Sequence, residues 1–449
     1  MQTAITEARG RDREVRIAEG ILRKCVHCGF CNATCPTFPV LGSEFEGPRG
    51  RIYLIKSVLE DRIAWSPQVV LHLDNCLSCF SCETTCPSGV RYSHLIDPAR
   101  ALIEQEYRRP LFERLQRRML AWLLPHPKRF RLAMRLAGWV KPFAPLLPGA
   151  LAANLKLAPR RLPPPAQVAL PGVIPALGVR RARVTLLTGC AQEVLGGAIN
   201  DATVRVLTRL GCEVVLPPDA GCCGALIYHM GDRGVGLPLI RAAVERWHRM
   251  LEDGVDWIVV NTSGCGTVVK DYGHILADEG ALAAKAQAVA ERAKDFSELV
   301  QTLGLPGGSA GAAATAAGAS VASANGVPRL RVAYHDACSL QHAQRLRSGP
   351  RALLSAAGFD VVEVPDGHLC CGSAGTYNLL HPRMAETLGR AKAAAIAQTR
   401  PHVIAAGNIG CLEQIGQYSG VPLVHTAELL DWALGGPQPP ALAGKLPPS

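Results

Sequence analysis

A chain of 449 residues, 48% hydrophobic, is long enough for two or three domains with real cores. No uncharged apolar run reaches the roughly 18 residues a membrane-spanning helix needs, so none is expected. The first residues, Met1 to Gly20, alternate Arg, Asp and Glu without an apolar stretch. A secretory signal is therefore not expected, and a reducing, cytoplasmic setting is. In that setting the 17 cysteines are ligands or buried thiols, not a disulfide frame. The net charge of +11 is localised, because residues 101–165 hold thirteen Lys or Arg against three Glu.

Residues 1–24 read as a lead-in helix. Beyond it lie two cysteine runs: Cys25-Val-His-Cys28-Gly-Phe-Cys31-Asn-Ala-Thr-Cys35-Pro36 and Cys76-Leu-Ser-Cys79-Phe-Ser-Cys82-Glu-Thr-Thr-Cys86-Pro87. Each is C-x2-C-x2-C-x3-C-P, the ferredoxin spacing for two cubane [4Fe–4S] clusters. Three closely spaced thiolates wrap one cluster, and the fourth lies too far along to close the same cage. The expected sets are therefore Cys25, Cys28, Cys31 and Cys86 for one cluster, and Cys76, Cys79, Cys82 and Cys35 for the other. Zinc sites usually pair two short Cys/His hairpins, which this pattern does not do. Between the runs, Gly47, Pro48 and Gly50 signal a turn. Ile52, Leu54, Ile55, Val58 and Leu59 suit a helix under the clusters. Arg49 and Arg51 either offset cluster charge or are solvated.

These runs, together with Gly47-Pro-Arg-Gly-Arg-Ile-Tyr-Leu-Ile-Lys56 and Cys82-Glu-Thr-Thr-Cys-Pro-Ser-Gly-Val90, closely resemble the iron–sulfur subunit of bacterial glycolate oxidase. The resemblance implies FAD-binding partner subunits that oxidise glycolate to glyoxylate, and D-lactate to pyruvate as a related activity. It implies that this chain passes their electrons to a quinone or another non-oxygen acceptor. Relay subunits for glycerol 3-phosphate or a heterodisulfide are the neighbouring alternatives. A zinc-binding structural scaffold is the alternative of another class.

The basic segment 101–180 contains Leu111-Phe-Glu-Arg-Leu-Gln-Arg-Arg-Met-Leu-Ala-Trp-Leu-Leu124, with apolar residues at helical spacing and Arg between them. Pro125, Pro127, Pro142, Pro145 and Pro148 are expected to break the stretch after Leu124 into short helices, and residues 160–175 to form an extended connector. A basic amphipathic helix can rest on an anionic membrane or cover a domain interface. No nucleic-acid-binding motif accompanies the charge, so nucleic acid is not an expected partner.

Residues 181–305 and 329–435 repeat each other. Val184-Thr-Leu-Leu-Thr-Gly-Cys190, Cys222-Cys223-Gly224 and Trp257 to Cys265 correspond to Val332-Ala-Tyr-His-Asp-Ala-Cys338, Cys370-Cys371-Gly372 and Val403 to Cys411. Short β-branched runs alternate with helical stretches, an α/β pattern with mostly parallel strands. The repeats resemble the cysteine-rich CCG domains of heterodisulfide reductase and its relatives, whose pattern ends in C-x2-C and can hold an iron–sulfur centre. Here Thr262 and Asn408 replace the first cysteine of that pair. Cys190, Cys222, Cys223 and Cys265, and Cys338, Cys370, Cys371 and Cys411, remain as possible ligands of a further cluster or metal. Cys212 is read as a buried apolar residue, and His335, His368 and His425 as hydrogen-bonded structural histidines. Gly307-Gly-Ser-Ala-Gly-Ala-Ala-Ala marks a flexible linker.

No G-x-G-x-x-G occurs in a strand–turn–helix setting, and Gly231-Asp-Arg-Gly-Val-Gly has the wrong spacing. No catalytic residue is expected in this chain, and FAD is expected in partner subunits only. The fold class is α+β multidomain: an N-terminal helical two-[4Fe–4S] ferredoxin-like module, then two repeated α/β CCG lobes related by a pseudo-twofold. The expected boundaries are 1–100 for the module, 101–180 for the connector, 181–305 and 329–435 for the lobes, 306–328 for the linker, and 436–449 for a disordered tail. Peripheral contact with the inner face of the cytoplasmic membrane is consistent with this layout.

Overall fold

The computed structural model describes residues 1–146, 155, 158–159, 162–168, 171–218, 221–306 and 325–445. The core of the N-terminal module comes from helices α1 (Arg13–Lys24), α2 (Pro48–Leu59), α3 (Pro67–Asp74) and α4 (Ser93–Glu106). Helix α1 starts at Asp12, whose carboxylate accepts from the N–H groups of Glu14 and Val15. Its stripe of Val15, Ala18, Ile21 and Leu22 packs on α4. Helix α2 begins at Pro48, where a missing N–H costs nothing. Gly50 lies in its first turn because a Cβ there would stand 2.2 Å from the Glu44 carbonyl oxygen. Leu102 and Ile103 on α4 are fully buried in the same core as Ile55 and Leu73, so the module extends past residue 100.

The connector forms a helical hairpin, α5 (Leu111–Leu123) and α6 (Pro127–Val140). The helical chain breaks between Leu123 and Pro127, as expected of Pro125 and Pro127, and Pro127 itself occupies the first turn of α6. Leu120, Leu124 and Phe130 pack against Val194, Ile227 and Met230 of the first lobe. The outer face of the hairpin leaves Leu111, Phe112, Leu115, Trp122, Leu136 and Trp139 exposed.

The first lobe is a five-stranded sheet in the order β1-β3-β2-β4-β5: β1 (Gly172–Ile174), β2 (Ala182–Leu187), β3 (Cys212–Leu216), β4 (Trp257–Val260) and β5 (Ala293–Asp295). Only β1 is antiparallel, and it brings the start of this lobe back to residue 172. The second lobe is four parallel strands in the order β7-β6-β8-β9: β6 (Arg331–Tyr334), β7 (Asp360–Val362), β8 (Val403–Ala406) and β9 (Leu423–His425). The central strands β2, β4, β6 and β8 are almost wholly buried, as parallel strands covered by helices must be.

The lobes pack reciprocally. Helix α7 (Gly197–Arg209) lies on α10 (Thr426–Ala433), and α8 (Phe296–Leu303) lies on α9 (Gly349–Ala356). Because α7 corresponds to α9 and α8 to α10, the two contacts are exchanged by the expected pseudo-twofold. One continuous core contains Val184 and Val214 from one sheet and Val332 and Val403 from the other. Cys212 is fully buried within it, as expected of an apolar role. The Ala/Gly linker over 307–324 and residues 446–449 lie outside the described residues. The expected disordered tail is corrected for 436–445: Pro440–Leu442 forms a 3-10 turn and Leu442 is fully buried against the shared core.

The module is fastened to the connector by a buried ion pair. Arg109 donates to both oxygens of Asp74, Nη1 at 2.5 Å and Nη2 at 3.1 Å, with Arg117 3.3 Å from the same carboxylate. Burial alone would raise the Asp74 carboxyl, but Arg117 and Arg109 outweigh it and hold the group below the usual range. Arg109→Met strands a buried carboxylate and is expected to cost about 3–5 kcal/mol in urea unfolding at neutral pH. The folded-state pKa is depressed, so this stabilisation is present above the unfolded carboxyl pKa of about 3.9. It is lost as pH falls through the folded value, and the wild-type advantage should shrink there.

Candidate metal centres and the cavity they face

Each cysteine run of the module begins where a helix stops. Cys25 is the C-cap of α1, and Cys76 lies two residues beyond the end of α3. Both runs then turn through left-handed residues at the same two offsets, His27 (φ 59°) and Gly29 (φ 89°) in the first, Ser78 (φ 49°) and Phe80 (φ 58°) in the second. Left-handed backbone at a non-glycine residue costs roughly 1–2 kcal/mol. The return is donor placement. The N–H groups of His27 and Ser78 donate to Cys25 Sγ and Cys76 Sγ, each at 3.4 Å. At Gly29 a Cβ would also stand 2.7 Å from Arg49 Nη1.

Cys25, Cys28, Cys31 and Cys86 line one pocket, with Cys82 at its inner edge. Burial raises the Cys31 thiol to about 11, with the influence of Cys25 and then Cys86 behind it. Cys79 and Cys82 are raised further, again chiefly by burial. The neighbouring thiols acting on Cys82 include Cys79, Cys76 and Cys35, and those acting on Cys79 include Cys338, Cys35 and Cys76. Cys86 thus shares a pocket with the first three thiols of the other run, and Cys35 lies near enough to Cys79 and Cys82 to act on both. Bare thiols resist ionising in such surroundings, whereas a coordinated thiol is deprotonated outright. All-sulfur donor sets with backbone N–H groups aimed at sulfur fit cubane clusters. The first set reaches the surface at Cys28, while Cys35, Cys76, Cys79 and Cys82 are buried.

The two arginines between the runs differ. Arg51 is buried, donating from Nη2 to Glu46 at 2.9 Å and Thr37 at 3.0 Å, from Nε to the His72 carbonyl at 2.7 Å, and from Nη1 towards Cys35 Sγ at 3.8 Å. It is a fixed cation beside the inner thiols. Arg49 is partly exposed and pairs with Glu44 at 2.6 Å. Sequence reasoning missed Arg100, a single helical cation with no spacing signature. Its Nη2 donates to the Cys76 carbonyl at 2.6 Å and its Nη1 to Ser78 Oγ at 2.8 Å.

In the lobes, Cys190 and Cys222 stand 3.6 Å apart, and Cys338 and Cys370 stand 3.9 Å apart. Gly224 (φ 80°) and Gly372 (φ 87°) turn their N–H groups onto Cys222 Sγ and Cys370 Sγ at 3.4 Å in both. Contacts with Cys190 and Cys223 hold Cys222 well below the usual thiol range. Thr262 and Asn408, which replace the extra cysteine, make polar contacts instead. Thr262 Oγ1 donates to Gln192, and Asn408 Nδ2 crosses between lobes to Ser263 Oγ at 2.9 Å.

The structural reading of the histidines holds for His425, whose Nδ1 accepts from Ala427 N–H at the start of α10. The His368 carbonyl accepts from His342 at 3.0 Å. For His335 the reading is corrected. Among the described residues neither ring nitrogen has a hydrogen-bond partner. Its ligand atom and the Cys371 and Cys411 sulfurs lie within 4.8 Å of one another. Burial, with a smaller push from Lys392, lowers its pKa to about 3, so the imidazole is neutral.

All eight lobe cysteines, with Cys76, line a single cavity of about 690 Å³ between the module, the lobes and the hairpin. Leu123, Phe130, Met134 and Val140 form an apolar wall, and Arg100, Arg117, His229 and His381 supply polar groups. Leu77 and Cys79 pack directly on Cys370, Tyr377 and Leu388. Tyr377 OH also donates to the Asn75 carbonyl at 3.2 Å. The module is therefore seated on the second lobe, with its inner thiols against that lobe's own.

Residues 21–90 match the family model of 4Fe-4S dicluster domains, and residues 184–270 and 332–416 each match that of the cysteine-rich CCG domain. The glycolate oxidase iron-sulfur subunit of Escherichia coli (strain K12) is 41% identical over 435 residues, covering 97% of this chain and 99% of that protein. The probable glycolate oxidase iron-sulfur subunit of Bacillus subtilis (strain 168) is 32% identical over 94% of this chain and 96% of its own length. Lactate utilization protein A of Oceanobacillus iheyensis is 26% identical over 56% of this chain and 96% of its own length. With one dicluster domain followed by two CCG domains, and similarity running almost end to end, the chain belongs to the glycolate oxidase iron–sulfur subunit family.

Proposed function

We propose that this chain carries electrons from FAD-binding partner subunits, which oxidise glycolate to glyoxylate, to a membrane quinone or another non-oxygen acceptor. The observation that carries the reading is that Cys86 lines a pocket with Cys25, Cys28 and Cys31, while Cys35 is among the thiols that act on Cys79 and Cys82. Cys25, Cys28, Cys31 and Cys86 would hold one [4Fe–4S] cluster, and Cys76, Cys79, Cys82 and Cys35 the other. Such clusters supply one-electron exchange, with potentials set by burial, charge and hydrogen bonds to sulfur. The remaining work belongs to the chain's own residues. His27 and Ser78 N–H groups stabilise thiolate charge, and Arg51 places a buried cation beside Cys35.

Exposure supports a direction. Val26 and Phe30, 67% and 66% exposed around surface Cys28, suit the docking of a flavin subunit. The buried set instead meets the lobes and the apolar cavity, which supports an acceptor, or a further iron–sulfur centre, at that end. Reduction of a quinone there would take two electrons and two protons. The hairpin supports peripheral membrane contact: Trp122, Leu136 and Trp139 are exposed among arginines, and Arg129 lies over the Trp122 ring at 4.7 Å. No helix among the described residues is long and apolar enough to cross a membrane. The lactate utilization relatives favour lactate, assayed as both enantiomers beside glycolate, as a second donor.

Full-length protein prepared without oxygen should be brown. Cys28→Ser and Cys86→Ser should each abolish one and the same EPR signal, and Cys35→Ser and Cys79→Ser the other, each with loss of about four irons. Pairing of Cys86 with Cys79 would refute the ligand sets, and a colourless zinc protein would favour the scaffold alternative. The complex with its flavin subunits should then bleach and recover with glycolate, and far more slowly with glycerol 3-phosphate.

For the hairpin, co-sedimentation with vesicles containing anionic lipid should fall as salt rises. Trp139→Ser should weaken it about tenfold or more, because a large apolar side chain is worth ~1.5–3 kcal/mol on burial. Equal binding to neutral vesicles would exclude an electrostatic contribution.

A further inference from the structure

The two lobes are not equivalent at their metal-ligating side chains. His335 stands three residues before Cys338, and the corresponding residue in the first lobe is Leu187. His335 is buried, 1% exposed, beside Cys371 and Cys411, which line the large cavity. A buried neutral imidazole normally satisfies at least one nitrogen. Here both are without a hydrogen-bond partner among the described residues, while Cys371 and Cys411 lie within ligand range of the ring. Cys338 and Cys370, 3.9 Å apart, complete the group. Nearby, the buried Lys392 donates to the Asp366 carbonyl at 2.7 Å and interacts electrostatically with Cys371 and Cys370, a cation placed where thiolates would form.

We propose that the second lobe holds an iron–sulfur centre in which His335 is a ligand through a ring nitrogen, beside Cys371 and Cys411. The donor count explains why a histidine serves. Asn408 occupies the position where the repeat's pattern would supply another cysteine, and its side chain is committed to Ser263 Oγ and Gly410 N–H. His335 restores a fifth donor beside Cys371 and Cys411. Thiolates with an imidazole suit iron–sulfur or zinc, but five donors exceed the four of a structural zinc site. The contact of Cys370 with Cys79 places the group beside the inner thiols of the module. Binding requires only deprotonation of the thiols, with those protons released to solvent, and a lone pair from the already neutral imidazole.

The test uses the full-length chain, reduced and labelled with ¹⁵N-histidine, in pulsed EPR. A hyperfine coupling that changes with the isotope is expected from a signal distinct from those of the two N-terminal clusters. His335→Cys should keep the iron, lose the coupling and lower that centre's potential, because a thiolate is more electron-donating than imidazole. His335→Leu, which copies the first lobe, should lose iron while both N-terminal signals persist. Cys223→Ser, in the first lobe, should leave the coupling intact. Absence of histidine coupling, full iron retention by His335→Leu, or zinc in place of iron would each overturn the proposal. The N-terminal signals keep this separate from the relay reading. Their loss would refute the relay, whereas their presence without histidine coupling would refute only the third centre.

Discussion

Buried sulfur that must carry negative charge is the constraint on which the rest of this molecule depends. Desolvation pushes the Cys79 and Cys82 thiols well above their ordinary range, and contacts with neighbouring thiols together with burial do the same for Cys338 and Cys371. The fold answers the same way four times, by turning the N–H two residues after a cysteine onto its sulfur: His27, Ser78, Gly224 and Gly372. Two of these turns use left-handed non-glycine residues, and the strain is tolerable because α1 and α3 anchor the loops from a fully packed core. Fixed cations complete the answer, Arg51 beside Cys35 and Lys392 beside Cys370 and Cys371.

The same constraint gives the molecule a direction. A thiol set that reaches the surface can exchange electrons with a docked partner, and one sealed within the protein can exchange only with what is packed against it. Cys28 is exposed, whereas Cys79 is covered by Cys370, Tyr377 and Leu388. The large cavity lies on the sealed side and is lined in part by the amphipathic hairpin. Both ends of the hairpin's chemistry are used. Leu124 and Phe130 face inward, and the outward face keeps the apolar residues that a water-facing helix would have shed.

Much of this was legible in the sequence because it is carried by spacing. The two C-x2-C-x2-C-x3-C-P runs fixed which thiols could share a cage, and the two cysteine-rich repeats, with their β-branched runs, announced twin parallel sheets. Features set by three-dimensional proximity alone were not legible. Nothing local marks Arg100 as the residue that ties Cys76 and Ser78 to the first lobe. The tail looked disordered because its Pro and Gly content hides one anchoring side chain, Leu442, which inserts into the shared core. His335 looked structural because a histidine's role depends on its partners, and in sequence it has none to display.

A pseudo-twofold makes the two thiol sets equivalent in backbone, yet the chain contains one dicluster module and one basic hairpin, so their neighbours differ. Cys338 and Cys370 lie beside Cys79, whereas Cys222 feels His126 at the entrance to α6. Once a symmetric pair sits between unlike neighbours, the side chains at corresponding positions come under different demands. A leucine at 187 fills the core of its lobe, while a histidine at 335 spends the same volume on two donor atoms buried beside thiols. That exchange is hard to sustain as packing, since an unpartnered polar ring in a sealed core costs on the order of 1–3 kcal/mol for each unmet group. It becomes favourable only where those atoms have something to bind, which makes the second lobe the place where the repeat has diverged towards chemistry.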